Sequence, residues 1–171
     1  MPEPAWTQQP LPDVGTDAVL GRWQPATLRE LTGARLQLSA ALHDGARPPG
    51  TDEGAVERLL LAYEELVSNA LRHGRPPIEV SVTRTGHHWL LQVSDTAADT
   101  PPTPAVGRDA ALGGLGLPLV AQLSGAHGWT VTGDSKVVWA RIDLTRAEPP
   151  PIPRPRDEAG RDRETDGPAP P

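Results

Sequence analysis

Between Leu59 and Leu71 the chain places Leu59, Leu60, Ala62, Tyr63, Leu66, Val67, Ala70 and Leu71 on one broad arc of a helix, with Glu64, Ser68 and Arg72 opposite. An apolar arc that wide must be buried against another layer, so the segment predicts a helix laid on a sheet. Glu65, Asn69 and His73 recur at every fourth residue and fall on the border between the two faces. Four residues advance about 6 Å and return to nearly the same face, so these side chains line the rim of a pocket. A carboxylate beside a neutral amide oxygen is suited to a cation.

Elements of matching size surround this helix. A first helix is expected from Pro25 to about His43, with Leu28, Leu31, Ala34, Leu38 and Ala41 or Leu42 at helical spacing, ending at Asp44-Gly45. Thr51 or Asp52 caps the second helix, Glu53 to about Arg72, and His73-Gly74 reads as a glycine C-cap. Ile78 to Val82 alternates, Gly86-His87 turns, and Trp89 to Val93 completes an antiparallel hairpin. The segment from Ala98 to Leu112 has no periodicity and reads as a long functional or disordered loop. Gly113 to Leu117 opens a third helix running to about Ser124, with Leu119, Val120 and Leu123 inward, and a second hairpin follows with strands Trp129 to Thr132 and Val137 to Ile142. The expected fold is α+β: a two-layer sandwich whose mixed, mostly antiparallel sheet is covered on one face by helices.

Composition bounds the rest. In 171 residues, 21 prolines and 17 glycines dilute the hydrophobic content to 37%, so the folded part must be shorter than the chain. The expected division is a flexible segment 1–20, one domain over 21–146 with the loop 98–112 inside it, and a disordered, proline- and charge-rich tail over 147–171. With no cysteine there are no disulfides or thiolate metal sites. The net charge of −6, without a basic cluster, argues against nucleic acid as a partner. No apolar run approaches the roughly 18 residues of a membrane span and no secretory signal is visible, so a soluble cytoplasmic protein is expected.

Three blocks in order resemble the GHKL nucleotide-binding fold shared by histidine kinases, gyrase and mismatch-repair ATPases. Glu65-x-x-x-Asn69-Ala70-x-x-His73-Gly74 is similar to its N box, Asp95 at a strand end to its adenine-reading aspartate, and Gly114-Leu115-Gly116-Leu117 to its glycine box. Within that fold the chain looks closest to the anti-sigma factor serine/threonine kinases of bacteria. Each block alone has a plainer explanation, respectively a solvated helix edge, a turn residue and a loop-to-helix junction; their conjunction carries the likeness.

The resemblance implies ATP and Mg²⁺ as cofactors. It assigns Asp95 to the exocyclic amine of adenine, Asn69 to Mg²⁺, and Glu65 to the proton of an incoming hydroxyl as general base. It places Gly114, Leu115, Gly116 and Leu117 along the phosphates, with His73, Ala97 and, from the lid, Arg108 also at the nucleotide. The implied partners are a sigma factor and an antagonist protein carrying the phosphoacceptor serine, and a homodimer is expected on the same ground. Two positions depart from the family pattern: Ala97 stands where glycine is common, and Val137 aligns where many members carry a threonine near the base. The other readings are a non-catalytic, ATP-dependent binding module of the same fold and a histidine kinase fragment presenting His43. Gly45 and Pro48-Pro49 interrupt the long helical hairpin that the last would require.

Overall fold

A computed structural model describes residues 6–14, 18–102 and 116–146. Its elements in chain order are β1 (Val19–Trp23), α1 (Leu28–Ala41), a π-helical turn (Leu42–Ala46), α2 (Glu53–His73), β2 (Glu79–Thr85), β3 (His88–Asp95), α3 (Gly116–Leu123), β4 (Ala126–Thr132) and β5 (Ser135–Asp143). Arg108, Gly114, Leu115, most of the presumed lid and the tail lie outside the described residues.

Side-chain caps set the helix starts: the one on α2 is as expected, while Thr27 starts α1 at Leu28, three residues later than the expected Pro25. Thr27 accepts from the Glu30 N–H and starts α1, while Asp52 accepts from the Gly54 N–H at 3.0 Å and starts α2. Gly45, at φ +103°, takes the left-handed conformation that ends the first helical run. Along α2, Ala55, Val56, Leu59, Leu60, Ala62, Tyr63, Leu66, Val67, Ser68 and Ala70 are buried. Ser68 was expected on the solvent side. It is buried because its hydroxyl donates to the Glu65 carbonyl at 3.2 Å, so little polar surface is left unsatisfied. On α3 the buried residues are Leu117, Val120 and Ala121, with Leu119 and Leu123 only half-buried.

The sheet has five strands in the order β1-β2-β3-β5-β4, and all four pairings are antiparallel. Its parallel component is a bridge outside the named strands, between Gln8 and Trp129. In register, Leu91 stands between Val82 and Ala140, and Val93 between Val80 and Val138. These two rows belong to the same buried cluster as the apolar arc of α2, which closes the two layers. Both hairpins expected from the alternating pattern are present.

The N-terminal segment contributes more than loose chain. Gln9 N–H donates to the Trp129 carbonyl at 2.9 Å, which lays residues 7–9 along the outer edge of β4. Trp6 is buried, donates its indole N–H to the Leu117 carbonyl at 3.1 Å, and meets the His127 ring at a centroid distance of 4.7 Å. β1 likewise begins at Val19, inside the span expected to be flexible.

Tyr63 sits at the centre of α2's buried face, with its ring edge-on to Trp23 at 5.6 Å. Its hydroxyl has no hydrogen-bond partner among the described residues, and burial pushes its ionisation well above the ordinary tyrosine range. A buried hydroxyl left unmade costs about 1–3 kcal/mol. Tyr63→Phe is therefore expected to raise stability by about 1 kcal/mol or more in urea unfolding; an equal loss would mean that the hydroxyl is satisfied.

Candidate functional site

The border stripe of α2 keeps its place in the fold: Glu65 and Asn69 are half-buried, and His73 is exposed at the last turn. What converts a stripe into a site is the pair of glycines that press on its two ends.

At the first end, α3 begins directly over Glu65. A Cβ on Gly116 would stand 2.6 Å from Glu65 Oε2, a separation that real side-chain carbons do not tolerate. That oxygen is the free end of a flexible side chain, so Gly116 leaves the carboxylate undisturbed under the first turn of α3, where a larger residue would push it aside. Burial pushes the Glu65 carboxyl above the ordinary glutamate range; neighbouring Glu64 adds to the rise and Arg72 opposes it. The next residue, Leu117, points its side chain into the core and offers the site only backbone.

At the second end, Gly74 stops α2 in an extended conformation, φ −82° and ψ 179°, and not in the left-handed form expected of a glycine C-cap. Its role is close approach. A Cβ there would stand 2.6 Å from the Ala70 carbonyl oxygen and 2.8 Å from both Cγ and Oδ2 of Asp95. The end of β3 is fastened alongside by the Thr96 N–H to the Arg75 carbonyl at 2.9 Å and the Thr96 hydroxyl to the Pro76 carbonyl at 3.1 Å. The glycine after His73 thus makes the contact with Asp95, while His73 itself faces outward.

Asp95 is 3% exposed and its two oxygens have different partners. Oδ1 accepts the Ala97 N–H at 2.7 Å, and Oδ2 lies 3.4 Å from Nζ of Lys136, which is 5% exposed. Lys136 also donates to the Thr100 carbonyl at 2.9 Å, at the root of the presumed lid. Ala97 needs no glycine-like freedom, since none of the described non-glycine residues has a positive φ. In the register of the last strand Asp95 pairs with Lys136, and Val137 pairs with Ser94 on the alternate face. Lys136, not Val137, therefore shares the face of the aspartate. Sequence reading missed it, although it is the only lysine in the chain, beside fifteen arginines.

The arrangement places a carboxylate of raised pKa at one end of a helical groove wall, an amide one turn along, and a fixed carboxylate with an ammonium at the other end. Glu65 and Gly74 are nine residues apart on one helix, about 14 Å at 1.5 Å per residue, an extended site with chemically different ends.

Comparison with known proteins identifies the fold. Over an alignment of 121 residues that covers 64% of this chain, the sequence is 27% identical to the signal transduction histidine-protein kinase AfsQ2 of Streptomyces coelicolor, of which the match spans 23%. The fold is similar to a crystal structure of the RsbU and RsbW domains of Rv1364c from Mycobacterium tuberculosis, with a TM-score of 0.52 and 20% identity over 74% of this chain and 32% of that one. The chain thus spans less than a third of either relative. Residues 24–142 match the histidine kinase-like ATPase domain as a family, and they include every element from α1 to β5 but the last residue of β5. The chain belongs to the histidine kinase-like ATPase domain family, within the GHKL fold.

Proposed function

We propose that the chain is an ATP-binding, Mg²⁺-dependent protein serine kinase of the anti-sigma type, acting on a serine of an antagonist protein and so regulating a sigma factor. The observation that carries this reading is the presence of two unlike carboxylates at opposite ends of α2's border, Glu65 under Gly116 and Asp95 beside Gly74. Family membership supplies the nucleotide, and the order of the motifs supplies the assignment of the ends.

The residues present fit the cofactors. Among the described residues no cluster of three or more His, Asp and Glu forms a protein-only metal cage. Asn69 offers a single neutral oxygen, as befits Mg²⁺, which keeps waters and shares its shell with phosphates. ATP with Mg²⁺, when bound, supplies the phosphoryl group and its charge neutralisation. Asp95, held by the Ala97 N–H, accepts a hydrogen bond from the base and fixes its orientation. Glu65 takes the proton of the serine hydroxyl as that oxygen becomes the nucleophile. Its raised pKa brings its basicity closer to the working pH, where a general base is most effective.

A regulatory module without catalysis is the second reading. It is favoured by the Lys136 bridge from Asp95 to the Thr100 carbonyl, which connects the base end to the lid root. Nucleotide occupancy would then be read out as loop conformation.

Two measurements test these readings. Saturating MgATP should raise the melting temperature, with about 2.7 kcal/mol of stabilisation at a hundredfold excess over Kd. Asp95→Asn should remove most of that rise; because it leaves the Lys136 ammonium unpaired, it should also cost about 3–5 kcal/mol without nucleotide, so each variant is compared with itself. An unchanged melting curve at millimolar ATP defeats the site.

With labelled ATP and the antagonist, Glu65→Gln should keep the ATP-induced rise yet transfer phosphate at least 10²-fold more slowly. In the wild type, transfer should increase with pH as Glu65 loses its proton, with an inflection above the ordinary glutamate range. Equal, negligible transfer by both proteins while both bind ATP would leave the regulatory reading standing.

A further inference from the structure

We infer that Lys136 is a specificity-determining residue of the base end, donating a hydrogen bond to the ring nitrogen beside the exocyclic amine of an aminopurine while Asp95 accepts from the amine. The inference rests on the ATP-binding reading above and extends it to a residue outside the three motifs.

The starting point is an unusual placement. A lysine ammonium is compact and strongly hydrated, and lysine is almost never fully buried unless paired. Lys136 is nevertheless 5% exposed, directly across the β3–β5 ladder from Asp95. Burying this pair is weak support for stability, since the desolvation of two charges offsets most of their attraction. A structural role would be served as well by two apolar side chains. The pair therefore calls for a ligand that uses both charges.

The chemistry of the two groups narrows that ligand. An ammonium has three donors and no acceptor, and an ionised carboxylate has acceptors only. Of the three ammonium hydrogens, one meets the Thr100 carbonyl at 2.9 Å and one faces Asp95 Oδ2 at 3.4 Å; the third is assigned to the ligand. Asp95 Oδ1 is taken by the Ala97 N–H, which leaves the remaining lone pairs of Oδ2 beside the lysine. Side by side, the two groups present one acceptor and one donor. Adenine's Watson–Crick edge presents the complement, an amine N–H next to the N1 lone pair. Hypoxanthine and guanine carry a carbonyl oxygen at the amine position and N1–H next to it, which sets acceptor against acceptor at Asp95.

The Ala97 N–H on Oδ1 keeps the carboxylate from turning away from the lysine, Gly74 leaves the room it occupies, and Thr100 keeps the ammonium from following solvent. Both groups are thus fixed before any ligand arrives, a condition under which hydrogen bonds discriminate.

The test compares MgATP with Mg-1-deaza-ATP, in which N1 is replaced by C–H, by calorimetric titration of the full chain and its Lys136→Met variant. A lost hydrogen bond to a charged group corresponds to about 10- to 100-fold in affinity. Wild type should bind MgATP tighter than the deaza analogue by that factor, and Lys136→Met should bind the two within about 2-fold of each other. A second measurement serves if the variant does not fold. Because the chain has one lysine, acetylation of Lys136 by acetic anhydride is read on a single peptide by mass spectrometry. Saturating MgATP should slow it more than saturating deaza analogue. Equal affinity of wild type for both nucleotides, or equal protection by both, overturns the role of Lys136 and leaves ATP binding intact. Failure of both nucleotides to bind overturns this inference together with the ATP reading.

Discussion

Everything in this domain depends on how deeply α2 is buried. Its apolar arc packs against the inward rows of β3 and β5 on one side and is flanked by α1 and α3, so neither its position nor its rotation can change without opening the core. Ten buried residues over six turns fix the helix as a rigid wall, by about 1.5–3 kcal/mol for each large side chain. The polar border is left with one orientation relative to the end of β3 and the start of α3. Site precision is thus a by-product of core packing, the condition under which first-contact groups hold their geometry without loops to support them.

That dependence explains what was legible in the sequence. The helix, both hairpins and the border positions of Glu65 and Asn69 follow from periodicity and turn residues, which are local signals, while Asp95 stands out only through the family resemblance. The misreadings are non-local except at Ser68. Ser68 is polar by type but is satisfied within its own helix, and Trp6 is far from Leu117 in the chain yet bonded to it. Gly74 does cap α2, its N–H on the Ala70 carbonyl, but the left-handed form expected of it is absent and its lack of a side chain makes room for a carboxylate arriving from β3. Lys136 shows its meaning only once the β3–β5 register is known. A shift of one residue puts Val137 on that face and conceals the ammonium.

The two carboxylates illustrate how environment divides labour among like groups. Glu65 is half-buried beside another glutamate and becomes more basic, fit to hold a proton. Asp95 is more deeply buried but carries a cation and a backbone N–H on its two oxygens, fit to present fixed acceptors. Under the proposed function, the same functional group supplies reactivity at one end of the wall and recognition at the other.

The N-terminal residues along β4 have a consequence for how the domain can associate. An open strand edge is a template for further strands, and here the β4 edge is already taken by residues 7–9. At the opposite side, β1 has only five residues and its pairing slips between Val19 and Gly21, which twists that edge away from a flat ladder. Growth of the sheet from copy to copy is discouraged at both margins. Contacts with other molecules are left to helix and loop surfaces, where they can be made and broken without competing with the fold.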